Sequence, residues 1–126
     1  MVINATSLEE VKKIIDSSKL VLLLAYDSRA PNGRYISGLI DDIAYTIEPV
    51  VSVIKVDVSD NDEILEHLSI RSIPRLRLYL NGRIIWEQIG FFMNYSSDKY
   101  AIRRGMLKAL RNYGLKPRSL GLRLSP

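Results

Sequence analysis

Seven consecutive residues, Leu20–Tyr26, are hydrophobic and show no alternation between apolar and polar positions. A strand with apolar side chains on both faces has to be covered on both faces, and such strands are typical of the interior of a parallel sheet. Val51–Val58 is predicted to be a second buried strand. The two runs predict an α/β fold in which helices cover both faces of a central sheet. A chain of 126 residues has room for one such domain.

Apolar residues at helical spacing separate and follow these strands. One helix is predicted over residues 8–17, and a second follows Ile36 and ends before Pro49. A third, short helix follows the polar residues 57–63. A last helix is predicted over residues 97–113, with Tyr113 on its buried side.

A strand of a different kind is predicted over residues 75–80, where leucines alternate with Arg75, Arg77 and Tyr79. Alternation indicates one buried and one wetter face, so Arg77 is expected where water reaches the sheet. Asn81-Gly82 is a strong hairpin signal that returns the chain antiparallel. The predicted central sheet is therefore mixed, with a parallel core and an antiparallel C-terminal hairpin.

The order of these elements and four short motifs resemble the thioredoxin family. The motifs that fall at the spacings of the family pattern are Val56-Asp57, Ile73-Pro74, Asn81-Gly82 and Gly90. The resemblance implies a single thioredoxin-like domain over residues 1–113, followed by a basic, leucine-containing C-terminal tail over residues 114–126. It also implies a cis bond before Pro74.

The two redox cysteines of the family have no counterpart in this chain, which contains no cysteine. Without a gap, the family's W-C-G-P-C segment falls on Arg29-Ala30-Pro31-Asn32-Gly33, and Leu24 stands where the family has a buried acid. Attack on a disulfide requires a thiolate. We therefore expect a naturally redox-inactive member, with no catalytic residues, metal or cofactor.

In the family, the residue before the cis proline offers its backbone to an extended peptide. The resemblance thus implies a partner-binding groove around Ile73 and Pro74. Four arginines are expected at the same edge of the sheet: Arg29, Arg34, Arg71 and Arg75. They favour an acidic peptide or a phosphate, since the nearby helix N-terminus adds partial positive charge. The alternative is a set of solvated arginines in surface ion pairs.

Charge differs between the two halves of the chain. Residues 1–70 contain 6 Lys or Arg and 12 Asp or Glu, whereas residues 71–126 contain 12 and 2. A basic block attracts phosphates, so nucleic acid is a candidate partner. The candidate basic patch consists of Arg104, Lys108, Arg111, Lys116 and Arg118. The alternative is a solvated helix face, since no aromatic residue interleaves with these side chains as base stacking requires.

Two apolar segments are candidates for interaction. The first consists of Phe91, Phe92, Met93 and Tyr95, which either cover the end of the core or contact a partner. The second consists of Leu120, Leu122 and Leu124 in the tail. The tail either docks on its own domain or forms an oligomer contact with a second copy, as the first segment could also do.

We therefore expect a non-catalytic binding or assembly module whose partner is a protein or an acidic peptide. A nucleic-acid-associated protein is the alternative, and a glutathione-transferase-like enzyme, with Tyr26 or Ser28 assisting a bound thiol, is a remote one. The chain shows neither a signal peptide nor a membrane-length apolar run, which favours a cytoplasmic protein. A bias toward arginine over lysine and abundant isoleucine fit a thermophilic source.

Overall fold

A five-stranded mixed sheet forms the centre of the computed structural model, which describes residues 1–122 and 124. The strands are β1 (Ile3–Ala5), β2 (Leu20–Tyr26), β3 (Ser52–Asp57), β4 (Arg75–Leu80) and β5 (Arg83–Gln88). The helices are α1 (Leu8–Ser17), α2 (Pro31–Ile47), α3 (Asp62–His67) and α4 (Tyr95–Asn112), followed by a short 3-10 helix (Pro117–Leu120). The predicted α/β architecture is confirmed. Among the described residues, no helix is long and apolar enough to cross a membrane.

Strand β2 lies at the centre of the order β1-β3-β2-β4-β5. It runs parallel to β3, with Tyr26 opposite Asp57, and antiparallel to β4, with Ala25 opposite Arg75. The last residues of β2 and β3 and the first residue of β4 therefore meet at one edge of the sheet. This edge is where the loops that carry the predicted site converge.

The seven-residue apolar run is buried on both faces, as predicted. Leu22 and Leu24 pack toward α2 and α4 in one core cluster, whereas Val21 and Leu23 belong to a second cluster that includes α1 and α3. All four side chains are at most 1% exposed. Helices on both sides of the sheet thus explain why this strand needs no polar face.

Four details of the structure differ from the sequence-based prediction. Strand β1 was not predicted, because three residues are too few to show a period of two. Helix α4 begins at Tyr95 rather than at Ser97, and Asn94 caps it by accepting from the Ser97 amide; Tyr113 is 47% exposed rather than buried. Arg77 is 4% exposed, so its face of the sheet is covered rather than wet.

The tail packs on its own domain. Leu122 and Leu124 are each 2% exposed and belong to the core cluster of α2 and α4, while Leu120 packs against that cluster half-buried. Of the two alternatives for the tail, these leucines follow the one in which the tail docks on its own domain. Tail positions 123 and 125–126 lie outside the described residues.

Candidate functional site

The loop after β2 leads into α2 at the edge where the three strands meet. Ala30 is the N-cap of α2 and makes no side-chain capping bond, Pro31 is the first helical residue, and Gly33 is buried in the first turn. Residues 29–33 therefore occupy the place that the sequence assigned to the degenerate redox segment, with Asn32 and Pro31 exposed.

Gly33 has no room for a side chain. A Cβ atom built at this position collides with the carbonyl oxygen of Asp27. The backbone of the loop therefore passes so close to the helix that only glycine fits there. The Asp27 carbonyl fills the space that a side chain at residue 33 would need. A cysteine at this second redox position therefore requires the loop to move.

Asp57 fastens this loop to the end of β3. Its carboxylate accepts the Ser28 hydroxyl at 2.5 Å, the Ser28 amide at 3.1 Å and the Ser59 amide at 3.2 Å. Burial alone would raise the pKa of Asp57, but these hydrogen bonds together outweigh it and lower the pKa below its usual range. Because the Ser28 hydroxyl already donates to Asp57, it is committed to holding the loop.

Three of the four predicted groove arginines have partners within the chain. Arg29 pairs with Asp27 at 3.3 Å and with Asp60 at 3.1 Å, and the hydrogen bond to Asp27 is the main reason that its pKa is raised. Arg34 donates to the carbonyl oxygens of Ser28 and Arg29. Both arginines therefore bind groups of the loop and its surroundings. Arg29 is paired with two carboxylates, and Arg34 is bound to two main-chain carbonyls.

Arg75 also forms an ion pair within the chain, whereas Arg71 is exposed. Arg75 lies 3.2 Å from the Glu87 carboxylate and donates to the Ser72 hydroxyl. Its side chain is only 12% exposed. The interpretation as ion-paired arginines therefore describes Arg29 and Arg75 better than a positively charged groove does.

The Ile73–Pro74 peptide bond is cis, as the resemblance implied. Pro74 is buried and Ile73 is half-buried, directly before the first residue of β4. A second cis bond, Glu48–Pro49, lies after α2 and was not predicted. The geometry of the Pro74 turn is thus present without the cysteines beside which the family carries it.

Arg77 and Glu87 form an ion pair that sequence reasoning missed, in which the Arg77 side chain is buried and the Glu87 side chain is 31% exposed. Arg77 Nε lies 2.9 Å from the Glu87 carboxylate, and its other nitrogens donate to the carbonyls of Leu68 and Ser69 and to the Tyr79 hydroxyl. Burial alone would lower the pKa of Arg77 and raise that of Glu87. The hydrogen bonds and opposite charges outweigh burial, so the Arg77 pKa is raised and the Glu87 pKa is lowered.

A buried carboxylate also organises the connection between β5 and α4. Asp98 is 0% exposed and accepts the amides of Phe92 at 2.8 Å and Met93 at 3.0 Å, as well as the Tyr35 hydroxyl at 2.6 Å. Phe91 packs half-buried against the core. Phe92 and Met93, together with Tyr95, remain exposed, so only Phe91 of this segment covers the core.

These two carboxylates carry a signal that the sequence does contain. Residues 71–126 hold only two acidic residues, Glu87 and Asp98. Each of them accepts hydrogen bonds from donors within the fold. An acidic residue that is rare in its segment was therefore the available clue to a structural role.

The basic face of α4 has aromatic neighbours after all. Arg104 and Lys108 line a groove of about 780 Å³ together with Phe92 and Tyr100. The sequence-based argument, that no aromatic residue interleaves with this patch as base stacking requires, did not foresee these two rings beside Arg104 and Lys108. The other members of the predicted patch, Arg111, Lys116 and Arg118, are exposed and lie outside that groove.

The strand order, the cis proline at the sheet edge and the loop that opens α2 define a thioredoxin-fold domain. The family model for thioredoxin matches residues 2–98. The chain belongs to the thioredoxin family. It does so without a single cysteine, so the dithiol of the family is missing from it.

Relatives and solved structures agree with this assignment. The chain is 32% identical to thioredoxin of Griffithsia pacifica over 79 residues, which are 63% of this chain and 72% of that one. It is 29% identical to thioredoxin of Rickettsia bellii over 96 residues, covering 76% and 91% of the two chains. Among structures, Plasmodium falciparum thioredoxin superposes with a TM-score of 0.69 at 26% identity, covering 81% of this chain and 97% of that one.

Proposed function

We propose that this chain is a non-catalytic member of the thioredoxin family that binds a protein partner. The observation that carries the proposal is the pair Phe92 and Met93, exposed by 73% and 50% on main chain that the buried Asp98 holds in place. Apolar side chains that face water from main chain held in place are typical of binding surfaces, because this segment loses little main-chain entropy when a partner covers it.

The absence of redox chemistry is the second part of the proposal. Thiol–disulfide exchange begins with attack by a thiolate, and Ala30 and Gly33 offer none. The crowded backbone at Gly33 supports the same conclusion, since the loop is built around glycine. With no thiol in this loop, the retained fold serves as a scaffold in this proposal.

The cis-proline edge is a second contact region in this proposal. Ile73 and the exposed Arg71 lie beside Pro74, where relatives of this fold receive extended peptides. Arg29 and Arg75 contribute less to recognition because acidic neighbours already pair with them. An enzyme that activates a bound thiol through Ser28 is disfavoured, because that hydroxyl donates to Asp57.

A thiol-dependent insulin reduction assay tests the redox part. We expect no turnover from the wild-type chain, and none from Ala30→Cys/Gly33→Cys, because the second cysteine has no space in the native loop. The single variant Ala30→Cys is the control: it should fold and react with a thiol reagent. Turnover by the wild-type chain or by the double variant would contradict the proposal.

Affinity capture from a native lysate of the encoding organism tests the binding part. The wild-type chain should retain a protein at both low and physiological salt, and Phe92→Ser/Met93→Ser should lose it. Unfolding curves establish that this variant is folded. Retention of nucleic acid alone, weakening log-linearly with salt, would replace the proposal by the nucleic-acid alternative. Retention of nothing would refute both.

A further inference from the structure

The groove along α4 is apolar for most of its length. The small residues Ala101 and Gly105 lie in it, and the rings of Phe92 and Tyr100 line it. These two rings are 73% and 49% exposed. A groove that keeps large rings in water gains free energy when apolar side chains cover them.

The main chain that carries Phe92 and the helix face at Gly105 are held in place from inside the domain. The Phe92 amide donates to Asp98, whose carboxylate also accepts the hydroxyl of Tyr35. Gly105 lets the Trp86 indole lie directly against α4, since a Cβ there would come within 2.5 Å of the ring. The groove is therefore formed before any partner arrives.

Two positive charges stand at the margin of the groove. Arg104 and Lys108 are exposed and lie one helical turn apart. Among residues 1–122 and 124, the ion pairs involve neither of them. Asp98, the acidic residue of α4 itself, is buried and already used. The charge of this margin is thus left for a partner to neutralise.

We propose that this groove binds an amphipathic helix of a partner protein, with acidic side chains on the edge that faces Arg104 and Lys108. This inference rests on the proposed function and names the class of partner. Carboxylates at positions i and i+4 of the partner helix match the spacing of the two cations. On α4 the groove spans residues 96–108, about 18 Å along the helix axis, or about three turns of a partner.

A nucleic acid fits this groove less well. A strand that tracks a protein surface needs a series of cations along its phosphates, with rings spaced for stacking. Here the two cations occupy one turn, and small residues that suit apolar side chains lie between the rings. The composition of the groove therefore favours a peptide.

Selection from a phage-displayed library of helical peptides tests the inference on the full chain. Enriched peptides should be amphipathic, with Asp or Glu pairs spaced four residues apart. Their affinity should fall about tenfold or more with Arg104→Glu/Lys108→Glu and less than about threefold with Arg111→Glu/Lys116→Glu. The second variant makes the same change in net charge on exposed residues outside the groove.

Several results would overturn the inference. Peptides without paired acids, or peptides indifferent to Arg104→Glu/Lys108→Glu but sensitive to Arg71→Glu, would place the binding elsewhere and leave the proposed function standing. No enriched peptide, together with no captured protein, would remove both. A labelled single-stranded DNA of about 20 nucleotides that binds more tightly than the peptides at physiological salt, and only to an intact groove, would assign it to nucleic acid. Ultracentrifugation showing a dimer that the groove variant dissociates would assign it to a second copy.

Discussion

The hydroxyl of Tyr35 donates a 2.6 Å hydrogen bond to Oδ2 of Asp98 and so joins α2 to α4. The same carboxylate holds the main chain of Phe92 and Met93. Burial, and then the bond to Asp98, raise the pKa of Tyr35, so the phenol remains a donor at neutral pH. One buried anion thereby ties the exposed aromatic connection to the core.

Removing this anion should destabilise the fold. We expect Asp98→Ala to lower the free energy of unfolding by about 3 kcal/mol, because three donors lose their acceptor, and Tyr35→Phe to lower it by about 1.5 kcal/mol. Urea unfolding measures both, and the double variant should show coupling. Tyr95→Phe is the matched control, since Tyr95 donates to Asp42 at an exposed site. An equal loss in the control would contradict the assigned role of Asp98.

A methyl group at Gly105 should disturb the only tryptophan of the chain. Gly105→Ala places a Cβ within 2.5 Å of the Trp86 indole. We expect a loss of about 1–3 kcal/mol and a change in tryptophan fluorescence. In Gly38→Ala the new Cβ meets open space, so that variant should be unchanged or more stable by up to about 1 kcal/mol. Equal stability of the two variants would show that Trp86 does not pack on Gly105.

The Glu87 ion pairs should make stability depend on pH in the acid range. Because the fold lowers the pKa of Glu87, the unfolded chain binds more protons near its ordinary pKa, and stability rises with pH there. The contribution of Glu87 is present above the ordinary carboxyl range and is lost as pH falls through the lowered pKa.

Glu87→Gln tests this dependence. The variant should be less stable than the wild type by about 1–3 kcal/mol at neutral pH, because Arg77 loses its charged acceptor. The difference should shrink when urea unfolding is repeated at about pH 3 and below. The exposed Glu66→Gln should change little at either pH. A difference that stays constant across the range would refute the pH argument.

The tail leucines should matter for stability as core residues do. Leu122→Ala is expected to cost about 2–4 kcal/mol, since Leu122 is 2% exposed within the cluster of α2 and α4. Leu120→Ala, at a half-buried position on the 3-10 helix, should cost clearly less. Thermal unfolding compares the two. If neither substitution changed the stability, the tail would not be docked as described.

Patterns with a regular period could be read from the sequence. The apolar run Leu20–Tyr26, the Asn81-Gly82 hairpin and the helical stripes identify the layers of the fold, because burial on a sheet or helix face repeats along the chain. The place of Ala30 and Gly33 at the sheet edge follows from motif spacing. The ends of the helices were less predictable, because each depends on a single capping residue, such as Asn94 at the start of α4.

The partners of charged side chains could not be read in the same way. Arg77 looked like a residue of a wet face, but the acceptors that bury it come from Leu68, Ser69 and Glu87, which approach from other segments. The role of Asp98 likewise depends on Tyr35, 63 residues away. Such contacts carry no local period, so only the folded arrangement reveals them.

The close approach of Asp27 to Gly33 also determines what it takes to place a dithiol in this loop. A cysteine at residue 30 alone would yield a monothiol, and one at residue 33 would first have to displace the backbone that now fills its place. Neither codon change by itself restores a working dithiol. Restoring the dithiol therefore requires a shift of the loop main chain as well as two cysteines.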